Sequence, residues 1–145
     1  MALPALIQDG GGSNRSAIVT NHNQLVVGPA KFNLSSFAEM DVVDTAYNLA
    51  TPVQGQEIVI SGILVGADKD VGLNGALVTI YENSVGPSSR TQTNVLLKFP
   101  VPQKSALPLL GLNLLASEGN WVNAETDDDD VFLTLLYYYA PAPVS

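Results

Sequence analysis

The sequence predicts an all-β chain of about eight strands, folded as a sandwich or barrel. Three observations carry this. Short runs of Val, Ile, Thr, Leu and aromatic residues are separated by clusters of Gly, Asn, Pro and Asp. No segment shows the sustained 3.6-residue periodicity of a long helix. No period of 20 to 50 residues recurs, which argues against propellers and solenoids and for a sandwich or barrel.

Taken in chain order, Met1 to Asn14 ends in Gly10-Gly11-Gly12-Ser13-Asn14, a hinge composition, and reads as an N-terminal arm. Leu3, Leu6 and Ile7 make that arm apolar enough to dock, and residues 15–145 read as one β-sandwich domain. Ser16 to Thr20 and Gln24 to Gly28 flank Asn21-His22-Asn23 and predict a hairpin. Lys31 to Tyr47 is ambiguous: Phe32, Leu34 and Ser36 alternate like a strand, whereas Ser35 to Met40 suits a short helix. Asp41 to Leu49 reads as a strand closed by Thr51-Pro52. Glu57–Val65 and Ala76–Glu82 are the clearest strands, joined by a polar, glycine-rich loop. Thr93–Phe99 follows, stopped by Pro100 and Pro102. Leu109 to Leu115 fits a strand or one helical turn, and Gly119 to Glu125 leads to a closing strand, Val131–Tyr139.

The chain has 145 residues, 46% of them hydrophobic. That length suits one domain that buries roughly 70% of its unfolded surface, so neither disulfides nor a structural metal are required. There is no cysteine, which removes disulfide frameworks, cysteine zinc sites and thiol nucleophiles, and fits assembly in a reducing cytoplasm. Only 14% of residues are charged, against about 25% in an ordinary soluble domain. A chain that forgoes a charged surface often hides part of it against partners. The net charge is -8, with 6 Lys and Arg, too few to neutralise phosphates or bind anionic lipid. No nucleic-acid or membrane partner is expected. The start lacks a basic signal-peptide region, and Leu107 to Ala116 is half a membrane span, broken by Pro108 and Gly111.

The closing strand departs from ordinary surface-sheet alternation. One face presents Val131, Leu133, Leu135, Tyr137 and Tyr139; the other presents Phe132, Thr134, Leu136 and Tyr138. Both are apolar. Glu57–Val65 shows the same habit, with Ile58, Ile60 and Gly62 against Val59, Ser61 and Ile63. A sandwich shelters one face of each sheet, so the second face needs a neighbour or a covering loop, either Asn83–Gln92 or Val101–Pro108. Burying one such side chain is worth about 1.5–3 kcal/mol, which drives association, most simply as a symmetric homo-oligomer. Phe132, Leu136 and Tyr138, with Leu3, Leu6 and Ile7, are the candidate interface residues.

Chemistry-bearing motifs are sparse. His22, the only histidine, lies in a turn composition and reads as a solvated turn residue. No nucleophile elbow, phosphate loop or dinucleotide fingerprint occurs, and Gly10-Gly11-Gly12 lacks a flanking strand and helix. Asp127, Asp128, Asp129 and Asp130 offer the oxygen ligands calcium prefers. Four in succession make a poor cage because neighbouring side chains diverge, and a solvated acidic loop guarding an apolar strand fits better. Asp68-Lys69-Asp70 opens like a calcium loop but meets Gly72 and Thr79 where ligands belong. Glu57, Glu82, Glu118 and Glu125 lie in or near strands, with nothing to pair two of them for glycoside hydrolysis. Trp121 and Tyr137 to Tyr139 could stack on sugars, although aromatics beside apolar strands suit a core or interface. No catalytic, metal or cofactor site is expected, and the chain is not read as an enzyme.

The Gly-hinged arm, the Ile58–Val65 and Ala76–Glu82 pair, the Gly119–Glu125 approach and the Val131–Tyr139 strand ending in Ala140-Pro141 resemble small jelly-roll virion proteins. The likeness is to capsid decoration (cement) proteins and head-fibre bases of tailed bacteriophages, and it spans most of Arg15 to Ala140. It implies a jelly-roll-like antiparallel β-sandwich, a homotrimer, and a place on the outer capsid surface after assembly in the host cytoplasm. There such proteins bind the major capsid protein, or other virion subunits, where capsomers meet. An inner shell subunit would be basic, and this arm carries only Asp9 before Arg15. The alternative expectation is a carbohydrate-binding module of a fibre or tail.

Overall fold

The computed structural model describes the backbone of residues 5–8, 16–19 and 25–26, and, with side chains, residues 34–68, 71–88, 90 and 94–143. The described elements are strands, with no α-helix among them. Contacts divide the chain into Met1–Phe32 and Asn33–Ser145. The division drawn from sequence lay at 14/15.

In the first unit, strands β1 (Ala5–Gln8), β2 (Ser16–Val19) and β3 (Leu25–Val26) form a three-stranded antiparallel sheet in the order β1-β2-β3. The expected β2–β3 hairpin is present, with Ile18 opposite Val26 and Val19 opposite Leu25. Leu3 and His22 lie outside the described residues, and Leu6 and Ile7 are described as backbone alone.

The second unit contains eight strands: β4 (Leu34–Met40), β5 (Tyr47–Ala50), β6 (Gln56–Ala67), β7 (Ala76–Asn83), β8 (Val95–Val101), β9 (Ser105–Ala116), β10 (Trp121–Thr126) and β11 (Val131–Pro141). One sheet runs β4-β11-β6-β9, the other β5-β10-β7-β8. The pairing has a simple logic. β4 pairs with β11, β5 with β10, β6 with β9 and β7 with β8, all antiparallel. This is one long hairpin rolled into two layers, the jelly-roll topology.

The core between the layers is fed by one face of each strand. Ala38, Met40, Ile58, Ile60, Ile63, Val65, Leu133 and Leu135 come from the first sheet, and Leu49, Val78, Ile80, Phe99, Val101, Val122 and Ala124 from the second. Gly75 closes the turn into β7 with φ 74°, and its Cα sits so close to the Val101 carbonyl that no side chain would fit.

Four local expectations change. The alternating pattern assigned to Glu57–Val65 slips at Ser61, where the register shifts against both β9 and β11. This bulge brings Ile63 to the same side as Ile58 and Ile60 and turns Gly62 outward. Thr93–Phe99 is displaced to Val95–Val101, continuing through Pro100, and Leu109–Leu115 extends back through Pro108. Both prolines sit in edge strands, where a missing N–H costs no ladder bond on the outer side. Asp41 to Leu49 is a turn followed by the short β5, because Tyr47 folds its hydroxyl back to accept from Val42 N (3.0 Å) and donate to Asp41 Oδ1 (2.7 Å).

Candidate interaction surface

Which side of β11 faces the core follows from register. Val131, Leu133 and Leu135 are fully buried, and Tyr137 and Tyr139 pack on the same core edge-to-face, their rings 5.8 Å apart. Tyr139 donates to the Thr51 carbonyl at 2.7 Å, and burial beside Tyr137 pushes its hydroxyl pKa upward. Phe132, Thr134, Leu136 and Tyr138 therefore point to the other side of the sheet, where all four are half-buried.

Cross-strand pairing extends this outer face into four rows. The first is Glu39, Phe132, Gly66 and Ala106; the second Phe37, Thr134, Leu64 and Pro108; the third Ser35, Leu136, Gly62 and Leu110. The fourth is Tyr138, Val59 and Leu115. Glu39, at one corner, is the only charge in these rows. Large side chains stand open to solvent: Phe37 is 63% exposed, Leu110 64%, Leu115 52% and Leu64 43%. Val59 is only 3% exposed although it lies outside the main core, in a row with Tyr138 and Leu115. This is a small apolar cluster on the outside of the molecule, too broad to be scattered surface leucines.

The outer face of the other sheet is built differently. Tyr81, Thr79, Asn123 and Glu125 alternate with core residues on β7 and β10 and are nonetheless buried. The loop from β7 to β8 lies over them. Tyr81 Oη reaches the Ser88 carbonyl at 2.8 Å and Glu125 Oε1 at 3.0 Å. Arg90 Nη1 donates to Glu125 Oε2 at 2.8 Å, and Asn123 donates to the Gly86 carbonyl at 3.3 Å. Burial, reinforced by the Glu125 carboxylate, pushes the Tyr81 hydroxyl well above its ordinary range. Every buried side-chain N or O among the described residues has a hydrogen-bond partner. A shallow crevice lined by Asp44, Leu77, Thr79, Arg90, Glu125, Thr126 and Asp127 lies beside this network.

The acidic run closes the end of the sandwich. Asp127 Oδ1 accepts from Leu77 N at 2.6 Å and Asp128 Oδ2 from Gly72 N at 2.8 Å, while Asp68 N donates to the Asp130 carbonyl at 3.1 Å. The Gly72 amide holds the Asp128 carboxyl below its usual range. The Asp128 carboxylate and the Asp130 carbonyl tie the β10–β11 turn to the β6–β7 loop, and the Asp127 carboxylate ties it to β7. Among the described residues no group of three or more acidic or histidine side chains is placed to hold a metal ion. Glu82 accepts from Ser117 Oγ at 2.9 Å, so Glu82 and Glu125 anchor different loops. Trp121 belongs to β10, beside Gly86, in the sheet opposite the tyrosines of β11, so the aromatics do not form one platform.

Phe132, Leu136 and Tyr138, singled out from sequence, fall together on the uncovered face. Leu64, Leu110, Leu115 and Phe37 complete it and were missed. For Leu110 and Leu115 the signal was the charge-free 12-residue stretch Ser105–Ala116, interrupted by a proline that an edge strand tolerates. Comparison with known proteins gave no matching family model, curated protein or solved structure.

Proposed function

We propose that this chain is a non-catalytic structural subunit that works by packing against protein neighbours. Its finer role is that of a virion accessory protein, a capsid decoration protein that oligomerises and bridges adjacent shell subunits. One observation carries the reading: the outer face of β4-β11-β6-β9 is apolar and open, while the equivalent face of the other sheet is polar and covered by its own loop. An apolar face of four strands is the feature expected of a contact surface. The low share of charged residues, 14%, supports it. The jelly-roll topology, shared by viral capsid and lectin domains, is consistent with a virion role without choosing it.

The mechanism is mass action. A subunit that binds the assembled lattice and not its separated parts stabilises the lattice by the free energy of that binding. A net charge of -8 disfavours approach to nucleic acid. The test is fractionation of native particles on a density gradient, with this chain followed by peptide mass spectrometry. Co-sedimentation with intact shells, and loss of particle resistance to heat when it is stripped, is the expected outcome. Recovery in the soluble fraction alone contradicts the virion role.

A further inference from the structure

We propose that Asn74 is a site of spontaneous deamidation, in which the Gly75 backbone nitrogen attacks the Asn74 side chain and the turn holding the pair gates the reaction. This stands apart from the packing role and needs no partner.

Sequence and fold meet at this position. Asn74-Gly75 is the single Asn-Gly pair in the chain. Asparagine is among the thermally labile residues, and a following glycine, with no Cβ, leaves the attacking nitrogen unobstructed. The fold demands that glycine. Gly75 has φ 74°, and an added Cβ would run into the Val101 carbonyl and the Pro102 backbone. The packing that starts β7 therefore excludes any side chain that would shield Asn74. Asn74 itself is exposed, and Leu73 beside it is 93% exposed, so water reaches the site.

The step balances with water as its one reagent. Gly75 N loses its proton and forms a bond to Asn74 Cγ. The Cγ–Nδ2 bond breaks, and the amide nitrogen leaves as ammonia, carrying that proton. Water then opens the five-membered imide at one of its two carbonyls and returns a proton to Gly75 N. Opening at the side-chain carbonyl gives aspartate. Opening at the main-chain carbonyl gives isoaspartate, which lengthens the main chain by one methylene.

Local geometry holds the reaction back. Gly75 N donates to the Gly72 carbonyl at 2.8 Å, which closes a β-turn over Gly72 to Gly75. Gly72 N donates to Asp128 Oδ2 at 2.8 Å, and Gln103 Nε2 to the Val71 carbonyl at 2.8 Å. The attacking nitrogen is released only when this turn opens locally, so the ties to Asp128 and Gln103 set how often it is available. The product acts back on the same ties. It adds a negative charge two residues from the Gly72 amide that the Asp128 carboxylate engages, and like charges repel.

The experiment uses the full chain, warmed at neutral pH. Peptide mass spectrometry follows the replacement of each amide by an acid, and enzymatic isoaspartyl methylation marks isoaspartate in the peptide spanning position 74. Asn113, also exposed but followed by Leu114, is the internal reference. Asp128→Ala and Gln103→Ala each release one tie on the turn, and Asn74→Gln removes the reactive amide. Circular dichroism confirms that each variant is folded. Asn74 should convert at least about tenfold faster than Asn113, with isoaspartate at position 74 in the wild type and none there in Asn74→Gln. Asp128→Ala or Gln103→Ala should raise the Asn74 rate severalfold. Conversion of Asn74 no faster than that of Asn113 overturns the proposal. A rate at Asn74 that neither released variant changes overturns the gating by the turn.

Discussion

The two outer faces of this sandwich solve the same problem in opposite ways. On β5-β10-β7-β8, polar groups line the face, and the chain brings its own loop to bond them: Tyr81 to Ser88, Asn123 to Gly86, Glu125 to Arg90. On β4-β11-β6-β9, apolar groups line the face and no segment among the described residues lies over Phe37, Leu64 or Leu110. A buried polar group must find its partner within the fold, because an unmade hydrogen bond costs about 1–3 kcal/mol. An apolar group has no such local demand and is satisfied equally well by another molecule. The contrast shows which face the described residues leave uncovered: the β5-β10-β7-β8 face is closed by its own loop, the β4-β11-β6-β9 face is not.

That contrast can be broken from either side. Leu133→Ala, on the core side of β11, should lower stability by about 2–5 kcal/mol in urea denaturation, the range for a cavity in a packed core. Glu125→Ala should cost about 2–3 kcal/mol, less than a fully buried pair because Arg90 is a third exposed, and should raise amide exchange through the β7–β8 loop. Leu64→Ala, on the outer face where Leu64 is 43% exposed, should change monomer stability by about 1 kcal/mol or less while weakening association. Asp128→Asn is the smallest. The Asp128 carboxyl titrates lower in the fold than in the unfolded chain, so its contribution is complete above the unfolded pKa and is lost as pH falls through the folded one. The stability gap between wild type and Asp128→Asn should therefore be present at pH 7 and close below about pH 4.

The division of β11 into two apolar sides was readable from residues alone, since a period of two assigns Leu133 and Leu135 to one side and Phe132 and Leu136 to the other. The jelly-roll pairing was not, because partners such as β4 and β11 lie about ninety residues apart and sequence carries no register between them. Ser61 hid a second feature. A bulge inserts one residue without any composition signal, so Ile63 was placed on the wrong side. The sequence offers the Asn83–Gln92 loop as a cover for an apolar face, but Gly86, Ser88 and Arg90 instead bond Tyr81, Asn123 and Glu125, which look like solvent-facing residues in the sequence.

Hydroxyl-radical footprinting of the full chain, in dilute and in concentrated solution, measures the open face directly. Concentration should protect Phe37, Leu64, Leu110 and Leu115 from oxidation by severalfold while Leu73 and Val85, exposed on loops, stay as reactive as before. Unchanged labelling of those four residues, or protection centred on Leu73 and Val85, would contradict the account.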